Sequence, residues 1–194
     1  MDEKVDRVLK ELDKRKEEEL SLGLPPERRL RSIPHETGQF LNILVKAIKA
    51  RKILEIGTAL GYSTIWLGEA AKKIKGKVFT LECNPESAKL AWENLIKAGL
   101  DKVVKIVLGD ARVTLYEVNG EFDFVFIDAE KKDYIAYFDM VFPKTRPEGL
   151  IIADNIISHA NELVYFKKHI EEFPNVESVA VPIGKGELLI YKVK

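Results

Sequence analysis

The chain has 194 residues, 46% of them hydrophobic and 32% charged, with 31 Lys and Arg set against 31 Asp and Glu. That length suits one domain with a sizeable core and is short for two, and the balanced charge gives no global field to draw the protein to nucleic acid or an anionic membrane. The single cysteine, Cys83, excludes an intramolecular disulfide, and the lack of a signal peptide or an apolar run of transmembrane length makes the chain read as cytoplasmic.

From Asp2 to Leu20 a highly charged stretch carries Val5, Val8, Leu9 and Leu12 at helical spacing. This predicts an amphipathic helix lying on the domain or on a partner subunit, its charges forming a solvated face. Gly23 and the Pro25-Pro26 pair break it. Arg28, Arg29 and Arg31 then cluster; surface ion pairing is one reading, contact with an anionic substrate or nucleic acid the other. A core-facing helix follows over 39–50, from the spacing of Phe40, Leu41, Leu44, Val45 and Ile48.

The next stretch organises the rest. An apolar run from Lys52 ends at Glu55-Ile56-Gly57 and restarts as a helix at Gly61-Tyr62-Ser63. A buried strand that turns through two glycines into a helix aims backbone amides at a ligand. The turn reads Glu-x-Gly-x-x-x-Gly and lacks the middle glycine of the dinucleotide fingerprint, which disfavours a nicotinamide cofactor. A turn that needs glycine only for its backbone angles is the bland alternative.

The same rhythm continues. A helix over 64–74 leads to a strand over 77–82 ending in Glu82, and a helix from Pro85 to about Ala98 is closed by Gly99. The third strand, 103–108, ends in Gly109-Asp110-Ala111, and the fourth, 122–127, ends in Asp128. After a helix over 134–142 and a turn at Gly149, a fifth strand over 150–153 ends in Asp154-Asn155. A helix over 162–173 precedes an antiparallel pair, 176–182 and 187–193, across Gly184-Lys185-Gly186. This alternation predicts a single α/β domain of Rossmann-like design, with a mostly parallel sheet and helices on both faces. Ligands bind such sheets at the carboxyl ends of the strands. Glu55, Glu82, Asp110, Asp128 and Asp154 all fall at or near those ends. Capping accounts for one or two of them, and at least three are expected to be functional.

These motifs resemble the class I S-adenosylmethionine (SAM)-dependent O-methyltransferases related to catechol and caffeoyl-CoA O-methyltransferases. The resemblance runs from about Ile33 to the C-terminus, through Thr37-Gly38-Gln39-Phe40-Leu41, the glycine turn, Gly109-Asp110-Ala111, the stretch from Phe122 to Lys131 with Tyr134, the stretch from Gly149 to Asn155, and Pro182-Ile183-Gly184. It implies a seven-stranded sheet with the last strand inserted antiparallel, a homodimer, and a methyltransferase domain over 37–194 preceded by a helical extension over 1–36. It implies that SAM lies on the first strand ends. Glu55, Gly57, Thr58 and Tyr62 would form the turn, Ser63 would bond the methionine carboxylate, and Glu82 the ribose hydroxyls. Asp110 and Ala111 would meet the adenine, and Asp128 and Glu130 would lie near the methionine amine. Ile33 stands where relatives can carry a small hydroxyl residue that touches the cofactor. Asp128, Asp154 and Asn155 match the family's divalent-metal ligands, an all-oxygen set that suits Mg²⁺. Asp128 and Lys131 match its catalytic residues, with Lys131 taking the proton of the attacking hydroxyl.

Two departures bear on the acceptor. Relatives carry a substrate-covering insertion after the Asp-Asn pair, whereas here residues 156–161 run almost directly into the next helix, so the pocket is either shallow or completed by the N-terminal segment or a second subunit. His159 aligns with a position that can contact substrate, and Lys185 stands where many relatives have an acid. The reading is a SAM-dependent O-methyltransferase acting with a divalent metal on a small phenolic or catechol-like hydroxyl. A metal-independent methyltransferase acting on RNA or protein, and a non-catalytic nucleotide-binding module, are the alternatives.

Overall fold

The computed structural model describes residues 1–25 and 32–194; the arginine cluster at 28–31 lies outside the described residues. In chain order the elements are α1 (Glu3–Ser21), α2 (His35–Ala47), β1 (Lys52–Ile56), α3 (Tyr62–Lys73), β2 (Lys77–Glu82), α4 (Pro85–Lys97), β3 (Val104–Leu108), α5 (Ala111–Glu117), β4 (Phe122–Ile127), a 3₁₀ turn (Lys131–Asp133), α6 (Tyr134–Val141), β5 (Thr145–Ala153), α7 (Val164–Glu172), β6 (Val176–Val181) and β7 (Glu187–Lys192). The seven strands form one sheet in the order β3-β2-β1-β4-β5-β7-β6. Strands β1 to β5 run parallel, and β7 is inserted antiparallel between β5 and β6. This is the predicted Rossmann-like arrangement, and no described helix is long and apolar enough to cross a membrane.

Both faces of the central strands are covered, which is why their sequences are nearly continuous apolar runs. Alternate residues of β4 feed opposite sides: Phe124 and Phe126 pack with α1, α2 and α3, while Val125 and Ile127 pack with α5, α6 and α7. Each large side chain fully buried in this way stabilises the fold by about 1.5–3 kcal/mol. Helix α1 belongs to the first layer, with Val5, Val8 and Leu9 all but inaccessible. Its N-terminus is capped by Asp2, which accepts from the Lys4 N–H at 3.0 Å.

Several boundaries differ from the sequence reading, among them the start of α2, which lies at His35 and not at the expected Gln39. Gly149, expected to be a turn, lies inside β5, because pairing with β4 slips between Phe122 and Phe124 and leaves a bulge where Phe122 faces Thr145 and Phe124 faces Leu150. The helix expected from Glu162 begins at Val164; the preceding residues form tight turns in which His159 N–H donates to the Asn155 carbonyl and Leu163 N–H to the His159 carbonyl.

Candidate active site at the carboxyl rim of the sheet

The turn after β1 is held from three sides. Gly57 has φ of +100°, and a Cβ there would fall 2.0 Å from the Asp128 carbonyl oxygen, so only glycine lets the end of β4 approach this closely. Glu82, at the end of β2, accepts from Thr58 N–H at 3.2 Å and Ala59 N–H at 2.8 Å with one oxygen, and from Asn84 N–H at 2.8 Å with the other. The carboxylate thereby gathers the turn's free amide donors, and this pairing explains an acid that is only 8% exposed. The Thr58 side chain faces inward, its hydroxyl 2.5 Å from that of Thr80 and donating to the Leu81 carbonyl.

Glu55 lies beneath the turn and does not line it. It is fully buried and accepts from the hydroxyls of Thr64 at 2.5 Å and Thr80 at 2.7 Å, tying the first turn of α3 to β1 and β2. Burial pushes its pKa up to about 7, against the pull of the Ser63, Thr64 and Thr80 hydroxyls. Ser63 is buried in the same turn, and Tyr62 points toward α2, its hydroxyl 3.4 Å from His35 Nδ1. Ile33 packs into the core at 2% exposure.

At the end of β3, Asp110 caps α5 by accepting from Arg112 N–H at 2.9 Å and holds the Arg112 guanidinium at 2.6 Å. That arginine lowers its pKa to about 2. Ala111 is buried beside it, and Glu130, two residues after Asp128, is exposed.

The ends of β4 and β5 bring the remaining residues together. Ile127 faces Ala153 across the ladder and Asp154 N–H donates to the Ile127 carbonyl, so Asp128 and Asp154 leave adjacent strands side by side. Lys131 donates to Asp128 Oδ1 at 3.1 Å, to the Ala129 carbonyl at 3.0 Å and to the Tyr134 hydroxyl at 2.9 Å. Asp154 is inaccessible; its Oδ1 accepts from Asn155 N–H at 2.6 Å, and its side chain lies against the Glu187 carboxyl. Burial and the charge of Asp128 raise the Asp154 pKa. Asn155 adopts φ of +72° and donates from its amide to Ser158 Oγ at 3.2 Å.

A family model for O-methyltransferases matches residues 6–193. The chain belongs to the O-methyltransferase family. This O-methyltransferase-family chain is 42% identical over 130 residues to the catechol O-methyltransferase of Niastella koreensis, the match covering 65% of this chain and 58% of that protein, so the chain spans less than two thirds of that relative's length. Among solved structures it resembles the O-methyltransferase from Bacillus cereus in complex with SAH, at 29% identity and a TM-score of 0.80 over 99% of this chain and 91% of that one. It also resembles the O-methyltransferase TomG from Streptomyces achromogenes in complex with SAM, at 26% identity and a TM-score of 0.82 over 100% of this chain and 91% of that one.

Asp128, Asp154 and Asn155 fit a hard divalent cation by the chemistry of their donor set. Two carboxylates and an amide oxygen stand on adjacent strand ends, and the buried Asp154 carboxylate lies against the Glu187 carboxyl, an acid–acid contact that a cation would relieve. No described cluster of three or more His, Cys, Asp and Glu side chains could hold a metal, and this set depends on an amide in place of a third acid.

Two residues of this O-methyltransferase-family rim were given no role from sequence, although Tyr134 was among the motif residues. Glu187, at the start of β7, is inaccessible, accepts from the Thr37 hydroxyl at 3.3 Å, and lies against the Asp154 carboxyl. Burial and the adjacent Asp154 push its pKa up to about 10. Tyr134 is buried beneath Lys131 and bonds the Ile127 and Asp154 carbonyls, each at 3.3 Å. Its spacing of three from Lys131 was the available signal.

Proposed function

We propose that this protein transfers a methyl group from SAM to a hydroxyl of a small phenolic or catechol-like acceptor, with a divalent cation, Mg²⁺ by preference, at Asp128, Asp154 and Asn155. One observation carries the proposal: the amide-bearing turn gripped by Glu82 and the oxygen-rich ends of β4 and β5 meet at Gly57 and Asp128 on one rim. SAM supplies an electrophilic methyl when bound, and the cation supplies Lewis acidity to the acceptor oxygens.

The protein's own residues do the rest. Glu82 fixes the turn and offers its carboxylate edge to the ribose hydroxyls, and Ser63 lies at the start of α3 for the methionine carboxylate. Gly57, Thr58 and Tyr62 shape that turn around Glu55, Asp110 with Ala111 flanks the adenine, and Glu130 with Asp128 lies toward the amine. Lys131 is held on Asp128 and Tyr134, and its neutral amine form keeps two of the three N–H donors and frees a lone pair. In that form it would take the proton of the attacking hydroxyl at Nζ, as the methyl passes from the SAM sulfur to the hydroxyl oxygen. Holding both reactants in line is worth ~7–11 kcal/mol in favourable cases. The reading carries with it a homodimer and a cytoplasmic setting.

Transfer of labelled methyl from SAM to a panel of catechols, with and without chelator, tests the proposal. Transfer abolished by chelator and restored by Mg²⁺ is the expected result. Transfer indifferent to chelator removes the metal assignment, and no transfer to any acceptor favours a non-catalytic binding module.

A further inference from the structure

Deepening that reading, we propose that Lys16 and Lys185 form an anion-recognition pair on the acceptor side, so that the preferred acceptor is an aromatic diol bearing a carboxylate. Lys185 is carried on the turn between β6 and β7. Its carbonyl accepts from Ile157 N–H at 3.2 Å and Ser158 N–H at 3.0 Å, which fastens this turn to the loop leaving Asp154 and Asn155. The neighbouring Gly184 seats on the start of α2 so tightly that a Cβ there would lie 2.2 Å from Thr37 Oγ1. Helix α1 reaches the same place from the other side, with Asp13 Oδ2 3.6 Å from His35 Nδ1.

Lys185 stands within electrostatic reach of both Asp154 and Lys16. Lys16 is half-buried, and burial together with the like charge of Lys185 pulls its pKa below the usual lysine range, while Asp13 and Glu36 pull the other way. Among the described residues neither lysine has a carboxylate at ion-pair distance, and Asp13 is engaged by His35 and Tyr62. Two cations brought together with no carboxylate at ion-pair distance, one of them partly desolvated, gain when an anion sits between them. Helix α1 thereby supplies a wall on the acceptor side, in a chain that has only residues 156–163 between the Asp154-Asn155 pair and α7 to cover it.

The test compares 3,4-dihydroxybenzoate with its amide, and 3-(3,4-dihydroxyphenyl)propanoate with its amide, as acceptors for the full chain, K16Q and K185Q at two ionic strengths. The expected result is that at least one acid is preferred over its amide by about tenfold or more in kcat/KM. The preference should shrink with salt and fall toward unity in K185Q and K16Q, chiefly through KM. Equal use of acid and amide by the wild type overturns this inference alone, as does a preference that both variants retain. Methylation of no diol overturns the acceptor reading and this inference with it.

Discussion

Lys131 Nζ donates to the hydroxyl of Tyr134 at 2.9 Å, and that buried tyrosine spans the Ile127 and Asp154 carbonyls. The lysine is thus positioned by the backbone of both strands that carry the acids. Replacing Lys131 with Met should lower kcat by about 10²–10⁴ if it is the proton acceptor. Tyr134→Phe should lower kcat less, about tenfold, by releasing the ammonium from one of its anchors. Steady-state kinetics and melting temperatures measured side by side would separate lost positioning from lost fold.

Glu82→Ala should weaken SAM binding by ten- to a hundredfold, about 1.5–3 kcal/mol. The same change frees the Thr58, Ala59 and Asn84 amides. Calorimetric titration gives the affinity. An unchanged dissociation constant would remove Glu82 from the cofactor assignment.

Gly57→Ala should be severely destabilising and abolish cofactor binding. The left-handed φ costs about 1–2 kcal/mol, and the Asp128 carbonyl, which occupies the Cβ position, would have to move. Urea denaturation should show a loss of several kcal/mol.

Stability should fall as pH rises. Below about pH 4.5 Glu55 carries its proton in both folded and unfolded chains; as pH climbs the unfolded carboxyl ionises, while the folded one keeps its proton until about 7. The stabilisation present at low pH is therefore lost across that window, ~3 kcal/mol in order of magnitude, and nothing more is lost from this group above it. Glu187, raised to about 10, extends the same sign of slope upward. Denaturant midpoints at pH 5 and pH 7 should differ less in Glu55→Gln than in the wild type.

Asp154→Asn should abolish Mn²⁺ binding, read by electron paramagnetic resonance, yet leave the metal-free protein as stable or more so by about 1 kcal/mol, because an amide can donate where two acids now face each other. Coincident loss of the fold and of binding would assign Asp154 a structural role.

Most of the rim was legible because each acid ends an apolar run, and in a parallel sheet such ends share one edge. Glu55 and Asp110 look alike by that rule, and the structure separates them: Glu55 is sealed among hydroxyls, while Asp110 is an exposed helix cap. Glu187 escaped because β7 is antiparallel, so its beginning, and not its end, lies on that edge, where Leu188 faces Ala153. Lys16 escaped because a lysine on an amphipathic helix reads as solvated surface until the partner loop is in view. Gly149 misled because a bulge inside a strand and a turn before one call for the same residue.

Among the described residues strand β6 pairs with nothing except β7, and β7 alone joins it to β5. Residues 176–192 form one antiparallel hairpin whose tip carries Lys185. Exchanging the Lys185 side chain alone, between two glycines that cannot change, leaves the anchoring ladder untouched, so on the proposed reading acceptor preference can drift between descendants of this sequence while the methyl-donor half stays fixed.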